Sequence, residues 1–185
     1  MDSQSLNQIT ADVTRWLNDI VIGLNLCPFA KKPAGENTIA IHVVEPRDDE
    51  QLLELLADEM QRLRDVGPAV TETTLIVIPN LLHDFFDYAQ FLTWANQMIK
   101  RQGFKGVFQL ASFHPNYCFA GSDEDDIENY TNRSPYPIIH IIREASLAKA
   151  IEYFPNVEDV PEHNQATMRA LGSEDIKQLF SYLKT

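Results

Sequence analysis

The sequence predicts an α/β fold: a single domain over residues 1–185, with a mainly parallel sheet of about four strands, helices packed on it and a helical C-terminal part. Three observations lead there. Short β-branched runs alternate with long amphipathic stretches as far as Ser112, and β-α-β connections of that kind make strands parallel, with right-handed crossovers preferred. The run Thr73-Thr74-Leu75-Ile76-Val77-Ile78 is apolar without alternation, the pattern of a strand covered on both faces. No linker, repeat or low-complexity tract divides the chain. The nearest alternative is a ferredoxin-like α+β sandwich, in which the fourth strand pairs antiparallel with the third.

Each element has its own local reason. Ile9, Val13, Trp16, Leu17 and Ile20 recur at helical spacing, so a helix is expected from about Leu6 to Leu24, ended by Pro28. Ile39 to Glu45 is rich in β-branched residues and stops at Pro46, which reads as a strand. Asp48 is a suitable N-cap for a helix with Leu52, Leu53, Leu56, Met60 and Leu63 on one face, closed by Gly67-Pro68. After the strand at 73–78 comes a helix from Asp84 to Arg101. Its wide apolar arc predicts cover on more than one side. Val107–Ser112 and Ile138–Ile142 supply the third and fourth strands, separated by a loop of unusual length from His114 to Tyr136. Three helices finish the chain: Glu144–Phe154, Glu162–Leu171, and Glu174–Leu183 after an N-cap at Ser173, with Pro155 and Gly172 as breaks.

Charge and composition exclude several classes. With 15 basic and 27 acidic residues the formal charge is −12, which opposes sequence-independent nucleic-acid binding and attraction to anionic membranes. No apolar run is long enough to span a bilayer, and the first residues lack the basic and apolar regions of a signal peptide. Two cysteines far apart are too few for a disulfide framework, so a reduced, cytoplasmic setting is expected.

Ligands of open α/β sheets bind beyond the carboxyl ends of the strands. Those ends here are Glu45-Pro46, Pro79-Asn80 and His114-Pro115-Asn116, with Arg143-Glu144 added if the fourth strand runs the same way. The segment Ser112–Gly121 is the richest, holding His114, Asn116, Tyr117 and Cys118. A His and a Cys four residues apart can serve as base and nucleophile, or both can ligate zinc. In the segment Gly23–Lys32, Cys27 precedes Lys31 and Lys32, which would lower a thiol pKa, while the helix C-terminus would raise it. In Asn129–Pro137, Arg133 offers a rigid fork for a carboxylate or phosphate, or for the acidic run Asp123–Asp126. His140, flanked by isoleucines, reads as a satisfied core histidine.

Phosphate-binding glycine loops, Gly-x-Ser-x-Gly, His-Glu-x-x-His and Cys-x-x-Cys are all absent from the sequence. The runs Gly23–Ala30, Phe113–Gly121 and Asn132-Arg133-Ser134-Pro135-Tyr136-Pro137 resemble a bacterial family catalogued as domain of unknown function 1415. The resemblance spans nearly the whole chain. It implies a free-standing soluble bacterial domain and brings no activity, cofactor or residue role with it.

The expectation is an enzyme for a small anionic metabolite. Its catalytic groups would come from His114, Cys118 and Cys27, its substrate contacts from Asn116, Asn132, Arg133, Tyr117, Arg143 and Lys31. No cofactor is named by the sequence. One alternative is a zinc-like Cys/His site completed by a residue such as His140; the other is a non-enzymatic interaction domain, with the three segments apart and an apolar patch elsewhere.

Overall fold

The computed structural model describes residues 2–154 and 157–183. The first helix, α1 (Ser3–Trp16), is capped by the Asp2 carboxylate on the Ser5 N–H and continues as a π-helical segment, Leu17–Ile22. There the hydrogen bonds lengthen to i→i−5, as in Gly23 N–H to Asn18 O at 2.9 Å. A short helix α2 (Lys31–Gly35) leads to β1 (Ile39–Val43). Asp48 caps α3 (Asp49–Val66) through the Gln51 N–H at 2.9 Å, and Gly67 ends that helix at φ 71°, where other residues are strained. β2 (Thr73–Val77) is buried throughout. Asp84 caps α4 (Phe85–Arg101), and β3 (Phe108–Phe113) follows. A 3₁₀ turn, Ile127–Asn132, interrupts the long loop before β4 (Ile138–Arg143). The chain then forms α5 (Glu144–Glu152), α6 (Val160–Ala170) and α7 (Ser173–Leu179). The last helix begins one residue earlier than expected, with Gly172 before it; the break expected at Pro155 lies outside the described residues.

The four strands lie in the order β1-β2-β4-β3. β1 and β2 pair in parallel, while β4 inserts antiparallel between β2 and β3. The three crossover-linked strands therefore share one direction, as their connections require, but the sheet is mixed and two of its three pairings are antiparallel. The physical reason is the fourth strand's origin in a loop rather than a helix, which lets it return through the sheet in reverse. The β3–β4 pairing is the one the ferredoxin-like alternative supposed.

Side chains alternate strictly across the sheet, and both faces are covered. On one face Ile76, Ile78, Ile139, Ile141 and Phe108 pack under Leu52, Leu56, Met60 and Leu63 of α3 and Tyr88, Phe91 and Ala95 of α4. On the other, Leu75, Val77 and Ile138 pack under Ile9, Val13, Trp16 and Ile20, with Met168 of α6 and Ile176 of α7. The breadth of the apolar arc on α4 thus reflects contact with both the sheet and α3. Among the described residues no helix is long and apolar enough to cross a membrane.

Candidate functional site

The carboxyl ends of β1, β2 and β3 meet at one edge of the sheet, where polar side chains brace the loops. The Asn80 amide donates to Pro46 O at 2.9 Å, tying the end of β2 to that of β1. The Tyr88 hydroxyl donates to Ile138 O at 2.7 Å and accepts from Phe113 N–H at 3.1 Å, joining the start of β4 to the end of β3. Burial pushes that hydroxyl far above its ordinary pKa, so it stays neutral.

His114 is fully buried beneath Phe85 and Tyr88. Its Nδ1 accepts the Asn116 N–H at 3.0 Å, so the ring proton sits on Nε2 and is donated to Leu82 O at 3.0 Å. That carbonyl belongs to a leucine at φ 59°, a conformation costly for any side chain but glycine, and the histidine helps to hold it. Burial lowers the pKa of His114, which keeps the ring neutral. Both nitrogens are used within the fold.

The second and third sequence segments are laced together. The His114 N–H donates to Asn132 O at 3.2 Å, and the Asn132 amide returns to Ser112 O at 3.1 Å. Asn129, fully buried, accepts from Phe119 N–H and donates to the Asp123 and Glu124 carbonyls. The first segment joins them through its helix: the Trp16 indole donates to Arg133 O at 2.9 Å. α6 completes the link, with Asn164 on Leu26 O at 2.8 Å and Arg169 paired to Glu128 of the 3₁₀ turn.

The loops converge, but their reactive groups point to different places. The Cys118 thiol is directed at the Ser122 carbonyl, 3.5 Å away. Cys27 is half-buried against the α1-side core, and that burial raises its pKa despite the lowering effect of the Phe29 and Ala30 N–H groups, while Lys31 and Lys32 are exposed. Both cysteines are free. Asn116 is exposed, and the Tyr117 ring packs between Phe85, tilted at 5.0 Å, and Phe119, edge-on at 4.9 Å. Arg143 lies at the opposite end of the sheet because β4 runs in reverse, opposite Phe108 at the start of β3. Its guanidinium is bound to the Thr71 and Leu63 carbonyls, so it joins α3 to β2 rather than the loop cluster.

Arg133 is held differently. Its guanidinium stacks over the Tyr130 ring at 4.3 Å, and Nη2 donates to the Glu124 carbonyl at 2.7 Å. Among the described residues it pairs with no carboxylate, despite the four acids of the same loop, and its buried Nε has no hydrogen-bond partner. Grooves open elsewhere: one of about 590 Å³ is lined by Arg15, Trp16 and Tyr182 among others, and one of about 400 Å³ by Leu53, Trp94 and Met98 between α3 and α4. Among the described residues no three His, Cys, Asp or Glu side chains are placed to hold a metal ion.

One charge without a counterpart in the sequence reading is the most completely paired among the described residues. Glu59 of α3 is 7% exposed and receives Arg62 through two bonds, Thr74 at 2.5 Å and His42 at 3.3 Å. Burial alone would raise its pKa, but the hydrogen bonds from Arg62, His42 and Thr74 outweigh it and hold the carboxyl at about 2. A signal was present: Leu52, Leu56, Glu59 and Leu63 form one helical stripe, so a carboxylate at 59 had to be buried. Asn129, by contrast, carries no periodic signature.

A mixed sheet layered between helices, with a loop cluster braced at its carboxyl-end edge, defines a single-domain α/β protein. The chain belongs to the family described as protein of unknown function (DUF1415), whose model matches residues 8–178. No curated protein and no solved structure matches it.

Proposed function

We propose that this protein binds a small anionic metabolite at the carboxyl-end loop cluster, with Arg133 anchoring the negative charge. The observation that carries the reading is the state of that guanidinium: oriented by Tyr130 and the Glu124 carbonyl, yet without a carboxylate partner among the described residues of a strongly acidic chain. A positioned, unneutralised arginine is suited to a carboxylate or phosphate, for which its planar fork gives paired hydrogen bonds. The dense bracing by His114, Asn129 and Asn132 supports the same reading, since a loop held this firmly loses little entropy when a ligand binds. In that cluster His114 is a positioning residue, because both of its ring nitrogens are used within the fold. Free thiols at both cysteines support a reducing, cytoplasmic setting.

The test is a thermal-shift series with inorganic phosphate, sulfate and small dicarboxylates on the wild-type chain and on Arg133→Met. An anion at a hundred times its Kd stabilises by about 2.7 kcal/mol, roughly 5–10 °C for a chain of this size. Loss of that shift in Arg133→Met is the expected result. Equal shifts in both proteins would remove Arg133 from the site.

A further inference from the structure

We propose that the groove between the π-helical segment and α7, about 590 Å³ in volume, binds a free amino acid with an apolar side chain. That volume lies within the roughly 300–1,000 Å³ of small-molecule sites. Trp16, Ile20, Leu171 and Leu179 give the groove its apolar surface. Charged groups of both signs stand in the same walls: Arg15 on α1, Asp19 on the π-helical segment and Asp175 on α7. Among the described residues neither Arg15 nor Asp19 is ion-paired, and the Asp175 carboxylate accepts only the Gly172 N–H at 3.2 Å.

Two features of these walls point to a ligand. In a regular α-helix Arg15 and Asp19, four residues apart, would be neighbours able to pair. Here the change to i→i−5 hydrogen bonding begins between them, at Leu17, and such segments are frequent at functional sites. The second feature is the Tyr182 hydroxyl in the groove wall, which is buried and has no hydrogen-bond partner among the described residues. Burial also raises its pKa, so the group stays a donor. A buried donor without an acceptor is unfavourable until one reaches it. A zwitterion on an apolar body matches this set. Its carboxylate takes the Arg15 guanidinium and the Tyr182 hydroxyl, its ammonium takes Asp19 or Asp175, and its side chain lies on Trp16 and Leu179. A simple anion would face two carboxylates, and a simple cation would leave Arg15 and Tyr182 unmatched. The groove is a site apart from the Arg133 cluster, with Trp16 between them through its bond to Arg133 O.

Trp16 reports on the groove directly. The chain has two tryptophans, so Trp94→Phe leaves Trp16 as the single emitter. Leucine and phenylalanine should each change its emission saturably. Isocaproate, isoamylamine and glycine lack the ammonium, the carboxylate and the side chain in turn, and should bind at least about tenfold more weakly than leucine. Arg15→Gln in the same background should lose leucine affinity by a similar factor. Tyr182→Phe should melt no lower than its parent, because an unsatisfied donor is removed, yet bind leucine more weakly; a purely structural tyrosine would lose stability instead. Arg133→Met should bind leucine as the parent does, which separates failure here from failure of the anion site. Emission moved by neither amino acid overturns the proposal. So does isocaproate or isoamylamine bound as tightly as leucine, or an unchanged affinity in Arg15→Gln.

Discussion

At the scale of single residues, side chains that look reactive in the sequence serve the backbone. His114 gives one nitrogen to Asn116 and the other to Leu82, so His114→Ala strands the buried Leu82 carbonyl and leaves the Asn116 N–H, on an exposed residue, to solvent. At about 1–3 kcal/mol for a buried unsatisfied group, a loss of that size is expected in denaturant unfolding. Little change would show that the Leu82 bond is not held in solution. Gly23 gives a sharper prediction. A Cβ there would lie 2.3 Å from Asp19 O, in the backbone of the π-helical segment itself. Overpacking of this kind costs about 1–3 kcal/mol, so Gly23→Ala should lower the melting temperature although its φ suits any residue. Histidine, cysteine and arginine were visible in the sequence as a cluster in loops, but which of their atoms are free is decided by how the loop backbone folds, through Asn116, Ser122, Glu124 and the distant Leu82. No local pattern records that.

At the scale of elements, the strands, the long helices and their caps were legible, because apolar periodicity and Asp48 and Asp84 are local signals. The direction of β4 was not, since it depends on how the loop from His114 to Tyr136 returns to the sheet. That reversal moves Arg143 a strand's length, about 17 Å at roughly 3.3 Å per residue, from the loops it was expected to join. Tyr88 is the fastener of this arrangement, linking α4 to the ends of both β3 and β4. Tyr88→Phe keeps the packing and removes both bonds, so a cost of about 2–4 kcal/mol is expected. Hydrogen exchange should then quicken at Phe113 before it does in the middle of β2. Uniform exchange across the sheet would contradict the role given to that hydroxyl.

For the whole molecule, acid is the natural stress. His140 has its folded pKa depressed from 6.5 to about 4, and Glu59 from 4.5 to about 2. In both windows the unfolded chain binds more protons than the folded one, so stability is complete above about pH 6.5 and falls as pH is lowered. His140 contributes between 6.5 and about 4, with His114 acting in the same direction, and Glu59 between 4.5 and about 2. Melting temperature should therefore begin to fall below pH 6.5, and His140→Gln should flatten part of the decline above pH 4. A wild-type curve level down to pH 4 would refute this. The charge of −12 fits the same picture, because the acids other than Glu59 are largely solvated and, among the described residues, none pairs with Arg133. The most direct test of the account is the Arg133 Nε–H signal in a proton–nitrogen spectrum, assigned by its loss in Arg133→Lys and titrated with phosphate and small dicarboxylates. A saturable shift of that signal with at least one anion is the predicted result; a signal unmoved by all of them, while the fold is intact, would contradict it.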